Sequence, residues 1–117
     1  MATVTVDGRP HLVPCCFALR GDTIYSAVDH KPKSTQLLRR LTNLRANPNA
    51  TLLVDHYADD WSTLWWVRAD GIGRVLSDGS DLERAIALLV AKYHQYQAEP
   101  PAGPVIAIDI TTWRAWP

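Results

Sequence analysis

The sequence lacks the features that place a protein in a membrane, on a nucleic acid or in an oxidising compartment. Twelve basic and twelve acidic side chains cancel, so no overall field gathers nucleic acid or anionic lipid. No apolar run approaches the roughly 18 residues of a membrane span, and no signal peptide opens the chain. Cys15 and Cys16 are neighbours in an extended segment and form a poor disulfide pair. We therefore expect a cytoplasmic protein without nucleic-acid or membrane partners.

Several catalytic signatures are also missing. No Gly-x-Gly-x-x-Gly follows a strand, which argues against a dinucleotide fold. No Gly-x-Ser-x-Gly is present, and neither cysteine has a histidine partner in the sequence. Val-Asp-His occurs at 28–30 and 54–56, but no His-x-His, HExxH or CxxC spacing supports a metal site, so none is predicted. Chemistry is left to a cofactor, and no catalytic residue is identified.

The hydrophobic patterns predict one domain over residues 1–117, mainly β with two helices. The predicted order, β-β-β-α-β-β-α-β, has too few helices for a doubly wound sheet and enough strands for a small barrel. The first helix ends before Asn47, and the stretch 63–76 is one long bulged strand or two strands joined tightly. Strands are predicted at 2–6, 11–19, 23–28, 50–57, 63–76 and 105–110, and residues 113–116 would extend the last of them. The second helix is predicted at about 81–96.

Five tryptophans are an unusual load for so short a chain. Trp is enriched in interfaces and ligand pockets, with ordinary core packing as the alternative. In an extended strand Trp65 and Trp66 face opposite sides, so only one easily enters the core. We assign Trp66 to the cofactor site, with core or dimer-interface packing as the alternative role.

A basic segment links the third predicted strand to the first helix. Cations at a helix N-terminus are unfavourable, by roughly 0.3–1 kcal/mol each, unless an anion lies nearby. First-turn N–H groups, two hydroxyls and the Lys33 ammonium would together hold a phosphate, and no acidic residue occurs from position 30 to 54. A solvated basic helix face is the alternative. The predicted cofactor-binding residues here are His30, Lys31, Pro32, Lys33, Ser34 and Thr35.

The stretch 13–17 is predicted to contact a flavin-type ring. Pro14 lacks an N–H, and in a strand proline usually marks an edge or bulge where backbone groups are free. Such groups can bind the polar edge of a ring, so Val13 and Pro14 complete the predicted cofactor-binding set. A simple edge strand is the alternative.

Several motifs, in this order and spacing, resemble the pyridoxamine 5′-phosphate oxidase-like split-barrel flavoproteins, most closely their F420-dependent actinobacterial branch. The resemblance spans nearly the whole chain. The motifs are DGRPHLVP at 7–14, DTIY at 22–25, HKPK at 30–33, NLRANP at 43–48, DDW at 59–61, WWVRADG at 65–71 and WRAW at 113–116.

This resemblance implies an antiparallel split β-barrel, a homodimer with two cofactor sites at its interface, and a hydride transfer between reduced coenzyme F420 and a small organic acceptor. It matches Lys33, beside Lys31, to the family's phosphate-binding lysine. The alternatives are an FMN-binding oxidoreductase or a non-catalytic flavin or F420 carrier or sensor. Relatives usually begin with a helix that is missing here. The segment from 33 to 43 is longer than in the FMN branch, which favours F420. His56, Tyr57 and Arg68 are candidates for orienting the substrate.

Overall fold

A computed structural model describes residues 1–28 and 35–117, and its side-chain description leaves out 35–38. Seven strands and three α-helices lie within these ranges. The strands are β1 (Ala2–Val4), β2 (Pro10–Leu12), β3 (Ala18–Arg20), β4 (Thr23–Ala27), β5 (Asn49–His56), β6 (Trp65–Leu76) and β7 (Val105–Trp116). The helices are α1 (Thr35–Ala46), α2 (Gly79–Lys92) and α3 (His94–Ala98), with a single 3₁₀ turn at Trp61–Thr63.

The strands form one antiparallel sheet in the order β2-β1-β5-β6-β7-β4-β3. Glycines at positive φ close the two predicted tight turns, Gly8 at 87° between β1 and β2 and Gly21 at 60° between β3 and β4. The α+β split-barrel class expected from the sequence is confirmed.

β6 and β7 are the longest strands and form the spine of the sheet. The stretch 63–76 contains one long strand, β6, with a register shift between Asp70 and Gly71. Of the two alternatives predicted from the sequence, the single bulged strand is therefore the one observed. Gly71 is required there because a Cβ would clash with the Asp109 carbonyl oxygen. At Gly73 a Cβ would lie 2.6 Å from Leu44 Cδ2, so the missing side chain lets α1 approach the sheet closely.

The sheet carries one helix layer on each face. Leu41 and Leu44 of α1 pack against a buried cluster that includes Ile106 and Ile108, which defines the α1 face. On the opposite side, the α2 face, Leu82, Ala85 and Leu89 pack against Ala18, Ala27 and Val105. Alternation along each strand therefore assigns every strand side chain to one of the two faces.

Two predicted elements are divided in the structure. The run 11–19 becomes β2 and β3, which lie at opposite edges of the sheet because the chain crosses over at Pro14. The second predicted helix is two helices, α2 and α3, since Tyr93 adopts extended backbone angles, φ −109° and ψ 121°. The prediction of two helices is therefore wrong, and the described residues contain three.

Candidate functional site

An apolar groove opens on the α1 face, toward the end of β5 and the beginning of β6. Its volume is about 210 Å³. Leu52 and Ala69 are buried where the groove meets the core, whereas Trp65 and Trp113 are 43% and 40% exposed at its mouth. None of the described residues that line the groove is charged: Phe17, Leu19, Ile24, Leu52, Val54, Trp65, Val67, Ala69 and Trp113.

Phe17 forms one wall of the groove and is held by residues at the junction of α2 and α3. The Tyr93 hydroxyl accepts a hydrogen bond from the Phe17 N–H at 2.9 Å and donates one to the Phe17 carbonyl at 2.9 Å. Lys92 Nζ donates to the same carbonyl at 2.6 Å and lies 3.7 Å from the centre of the Phe17 ring. The wall is thus fixed at this residue.

The residues just before Phe17 leave backbone groups unpaired. Among the described residues, the peptide N–H and C=O groups of Cys15 and Cys16 have no hydrogen-bond partner. Val13 differs, because its N–H donates to the Met1 carbonyl at 3.0 Å and its own carbonyl accepts from the Met1 amino group at 2.8 Å. Pro14 is exposed between them. The free groups predicted around Pro14 therefore lie at Cys15 and Cys16 rather than at Val13.

The two adjacent tryptophans lie on opposite faces of β6, as alternation predicts, and neither is buried. Trp65 lines the apolar groove. Trp66 lies on the α2 face, opposite Asp55 on one side and Trp116 on the other. The structure brings Trp65 rather than Trp66 to the groove, and the assignment of Trp66 to the cofactor stays a prediction.

The predicted phosphate site lies mostly outside the described residues. This holds for His30, Lys31, Pro32, Lys33 and Ser34, while Thr35 is the first residue of α1. α1 does begin where helical spacing predicts and has no acidic residue in its first turn. The phosphate assignment therefore stays a prediction.

Among the residues that the structure describes, three buried polar atoms on the α1 face have no hydrogen-bond partner: His11 Nδ1, Ser26 Oγ and Arg40 Nε. Arg40 is only 6% exposed. Ser26 shares its face with Ile24 by alternation, and His11 lies opposite Thr3, which accepts a hydrogen bond from Asn43 of α1. A buried polar atom without a hydrogen-bond partner is costly, so the Nε of Arg40 and the other two atoms on this side of the sheet fit an additional hydrogen-bonding or anionic group.

A second, polar concavity lies between the β1–β2 hairpin and α1. Its volume is about 750 Å³. Arg9 and Arg39 are exposed there beside the half-buried His11, while Asp7 accepts a hydrogen bond from the Thr5 hydroxyl. The lining comprises Thr5, Val6, Asp7, Arg9, Pro10, His11, Arg39, Thr42 and Asn43.

The three candidates for orienting a substrate do not converge. His56 is exposed on the α1 face, opposite Trp65 in the strand register, and therefore lies at the rim of the apolar groove. Tyr57 follows it and is 75% exposed. Arg68 lies on the α2 face and forms an ion pair with Asp70 at 3.2 Å. Only His56 is placed next to the groove.

A shifted pKa occurs at Asp109, which lies outside the groove. Arg74 donates to Asp109 at 3.0 Å, and this hydrogen bond lowers the pKa of the Asp109 carboxyl. Within the described ranges, no group of three or more His, Cys, Asp or Glu side chains is arranged to hold a metal ion. No helix of these ranges has the length and apolar character that crossing a bilayer requires.

Sequence reasoning included Phe17 in the predicted ring-contacting stretch 13–17, chose Trp66 rather than Trp65, and missed Tyr93 and Arg40. The alternation of β6 placed Trp65 and Trp66 on different faces but gave no sign of which face carries the groove. Tyr93 fitted the helical spacing of 81–96, and its partner Phe17 is 76 positions away. Arg40 lies beside the leucine stripe of α1, and its burial is not evident from the helical spacing.

Comparisons with known proteins identify the architecture. The family described as pyridoxamine 5′-phosphate oxidase matches residues 1–117. The conserved hypothetical protein Rv2991 from Mycobacterium tuberculosis is 21% identical with a TM-score of 0.76, covering 98% of this chain and 73% of that one. A heme binding protein from Mycobacterium smegmatis is 18% identical with a TM-score of 0.75, over 98% and 46%. HutZ, the heme storage protein from Vibrio cholerae, is 15% identical with a TM-score of 0.71, over 98% of this chain and 81% of that one. No curated protein matches the sequence.

Proposed function

The chain belongs to the pyridoxamine 5′-phosphate oxidase family, and on that premise we propose that it is an oxidoreductase that uses coenzyme F420, with FMN as the alternative cofactor. The reaction is a hydride transfer between the reduced deazaflavin and a small organic acceptor. One observation carries the proposal. The apolar groove has aromatic walls, and unpaired peptide groups directly precede one of those walls.

The groove fits the ring of such a cofactor in its chemistry. A flat aromatic ring gains most from apolar and aromatic walls, which Phe17, Trp65 and Trp113 supply. Its polar edge needs hydrogen-bond partners, and the peptide groups of Cys15 and Cys16 offer both donors and acceptors. These residues would hold and orient the ring.

The anionic part of the cofactor is assigned to the start of α1. Lys31 and Lys33 stand just before this helix in the sequence, and the buried Nε of Arg40 on the α1 face has no partner among the described residues. An anionic phosphoryl group near the helix would compensate both the basic segment and the helix dipole. When bound, the reduced deazaflavin supplies the hydride. The protein excludes water with apolar walls, and His56 at the rim is the candidate for contacting the substrate.

A second copy of the chain is expected to complete the site. The groove volume of about 210 Å³ lies below the roughly 300–1,000 Å³ usual for ligand pockets. Trp65 and Trp113 remain substantially exposed at its mouth, and large exposed aromatic surfaces are typical of interfaces. A homodimer would cover this opening and enclose the ring between two subunits.

Calorimetric titration of the protein with F420 and, separately, with FMN tests the proposal. We expect low-micromolar or tighter binding of F420. Val54→Arg places a charge in the groove and should weaken binding roughly tenfold or more. Leu53→Arg is the matched control, since this exposed neighbour lies on the other face and should leave affinity within about twofold. Equal losses in both variants contradict the groove assignment.

A turnover assay separates an enzyme from a carrier. Bound, reduced F420 should be reoxidised rapidly by at least one acceptor among quinones, tetrapyrroles and nitro compounds. In the calorimetric titration, a binding heat with FMN but none with F420 would transfer the assignment to the FMN branch. Tight binding without reoxidation by any of these acceptors would favour a carrier or sensor.

Haem binding is a second candidate, favoured by the position of His56. This exposed histidine lies beside Trp65 at the rim of an apolar groove, and imidazole is a common axial ligand of haem iron. Titration with haemin should then give a sharp Soret band that His56→Ala abolishes. A haemin spectrum identical in the two proteins would leave F420 as the better account.

A further inference from the structure

The segment that precedes β3 is anchored at Phe17. The peptides of Cys15 and Cys16 are unpaired among the described residues, whereas both backbone groups of Phe17 bond to the Tyr93 hydroxyl. In an antiparallel sheet, a residue of the neighbouring strand makes both of these bonds. One side-chain hydroxyl therefore takes the place of a missing strand at the wall of the groove.

The break between α2 and α3 makes this contact available. Tyr93 ends α2 through its N–H, which donates to the Leu89 carbonyl at 2.9 Å, and its extended backbone then leads into α3. Its ring packs edge to face on Tyr96, with the ring centres 5.7 Å apart. The ring is thus held on one side while its hydroxyl reaches Phe17.

Lys92 supports the same wall from the solvent side. Its ammonium donates to the Phe17 carbonyl at 2.6 Å and lies over the Phe17 ring at 3.7 Å. This combines a charge-assisted hydrogen bond with a cation–π contact, which fixes the ring as well as the backbone. Phe17 consequently presents one constant surface to the groove.

We propose that Tyr93, assisted by Lys92, is a positioning residue that fixes the Phe17 wall and so determines how tightly the groove binds a flat aromatic ring. The identity of that ring as F420 or FMN rests on the proposed function. The positioning role itself applies to any apolar aromatic ligand of the groove.

Tyr93→Phe tests the role, because it keeps the ring and removes only the hydroxyl. Tyr25→Phe is the matched control, since Tyr25 packs against the same α2 cluster without a hydrogen bond to Phe17 among the described residues. Amide hydrogen exchange at Phe17 reports the contact, and we expect about fivefold to tenfold faster exchange in Tyr93→Phe only. Thermal unfolding of the two variants should differ little.

Ligand affinity reports the consequence. The probes are F420 and the neutral dye N-phenyl-1-naphthylamine, whose binding is followed by energy transfer from tryptophan. Both dissociation constants should rise about fivefold or more in Tyr93→Phe and less than twofold in Tyr25→Phe. If the protein binds neither F420 nor FMN but Tyr93→Phe still weakens dye binding, the result supports the positioning role and contradicts the proposed cofactor.

The proposal is overturned if exchange at Phe17 accelerates while dye affinity stays unchanged, because Tyr93 would then be a structural contact alone. Absence of dye binding to the unmodified protein also contradicts it. Should Tyr93→Phe fail to fold, Lys92→Met replaces it, since Lys92 is exposed and Met keeps the length of the side chain. Its dye dissociation constant should rise at least twofold, and no change would count against the proposal.

Discussion

The two faces of the sheet are built differently. On the α2 face the helix buries only apolar side chains, Leu82, Ala85 and Leu89, and the peripheral charges Arg74 and Asp109 are paired. On the α1 face the buried residues include polar ones, and all three unpaired buried polar atoms of the described residues lie there. The apolar groove opens on this side as well.

The difference suggests that the two faces have different roles, with the α2 face mainly packing the core and the α1 face binding a ligand. Buried polar groups normally find partners, so a concentration of unpaired atoms on one face indicates a surface that another molecule completes. Among the described residues, the α2 face has no unpaired buried polar atom of this kind. We therefore expect substitutions of the apolar side chains that α2 buries to change stability. Substitutions on the α1 side, and of Tyr93 and Lys92 where they contact Phe17, should change affinity.

The largest effect is expected at Leu89, which is fully buried beneath α2. Leu89→Ala should lower the free energy of unfolding by roughly 2–5 kcal/mol, through lost burial and a residual cavity. Urea denaturation measures this change. The F420 affinity of the folded fraction should stay within about twofold, and a large loss of affinity would contradict the separation of the two faces.

Lys33→Ala should weaken F420 binding by about 1.5–3 kcal/mol, the loss of a charge-assisted hydrogen bond. Calorimetry at fixed ionic strength measures it. Arg45→Ala is the control, because Arg45 is exposed in the last turn of α1, away from its N-terminus. An unchanged affinity in Lys33→Ala would show that the phosphate binds elsewhere.

Arg40→Met should have opposite effects on the free and bound protein. Arg40 is buried and its Nε has no partner among the described residues, so replacing it by an apolar side chain of similar length should stabilise the free protein by roughly 1–2 kcal/mol, while F420 affinity falls. Arg39→Met, at an exposed neighbouring position, should change neither property appreciably. If Arg40→Met destabilises the free protein as strongly as Leu89→Ala, Arg40 is a structural residue.

The smallest effect concerns the ion pair on the α2 face. The hydrogen bond from Arg74 lowers the pKa of Asp109, so the stabilisation is complete above the unfolded value of about 3.9 and is lost as the pH falls through the lower folded value. Both side chains are about half exposed, so the contribution is small. The difference in Tm between the wild type and Asp109→Asn should shrink between pH 5 and pH 2, and a constant difference would contradict the pairing.

The sequence predicted the parts of the fold that local patterns determine. Alternation and the turns at Gly8 and Gly21 yielded the strands, and the DG pair at Asp70 and Gly71 indicated the bulge of β6. The helix break at Tyr93 was missed because its side chain fits the helical stripe, while its hydroxyl bonds to Phe17 far along the chain. Local periodicity carries no information on such a contact.

The site was less accessible to sequence reasoning for the same reason. The assignment of Val13 and Pro14 to the cofactor stays a prediction. Among the described residues, the unpaired peptides of this segment are those of Cys15 and Cys16, because Met1 occupies both backbone groups of Val13. Arg40 is only 6% exposed in the folded chain, and its burial is a tertiary event. A basic residue beside a leucine stripe looks exposed until the sheet is in place.

A crystal structure of the protein soaked with F420 tests the central claim most directly. The account predicts the ring in the groove between Phe17 and Trp65, its polar edge on the peptides of Cys15 and Cys16, and its phosphoryl group at the start of α1. A ring bound in the polar concavity between the β1–β2 hairpin and α1, or on the α2 face, with the groove empty, would contradict it.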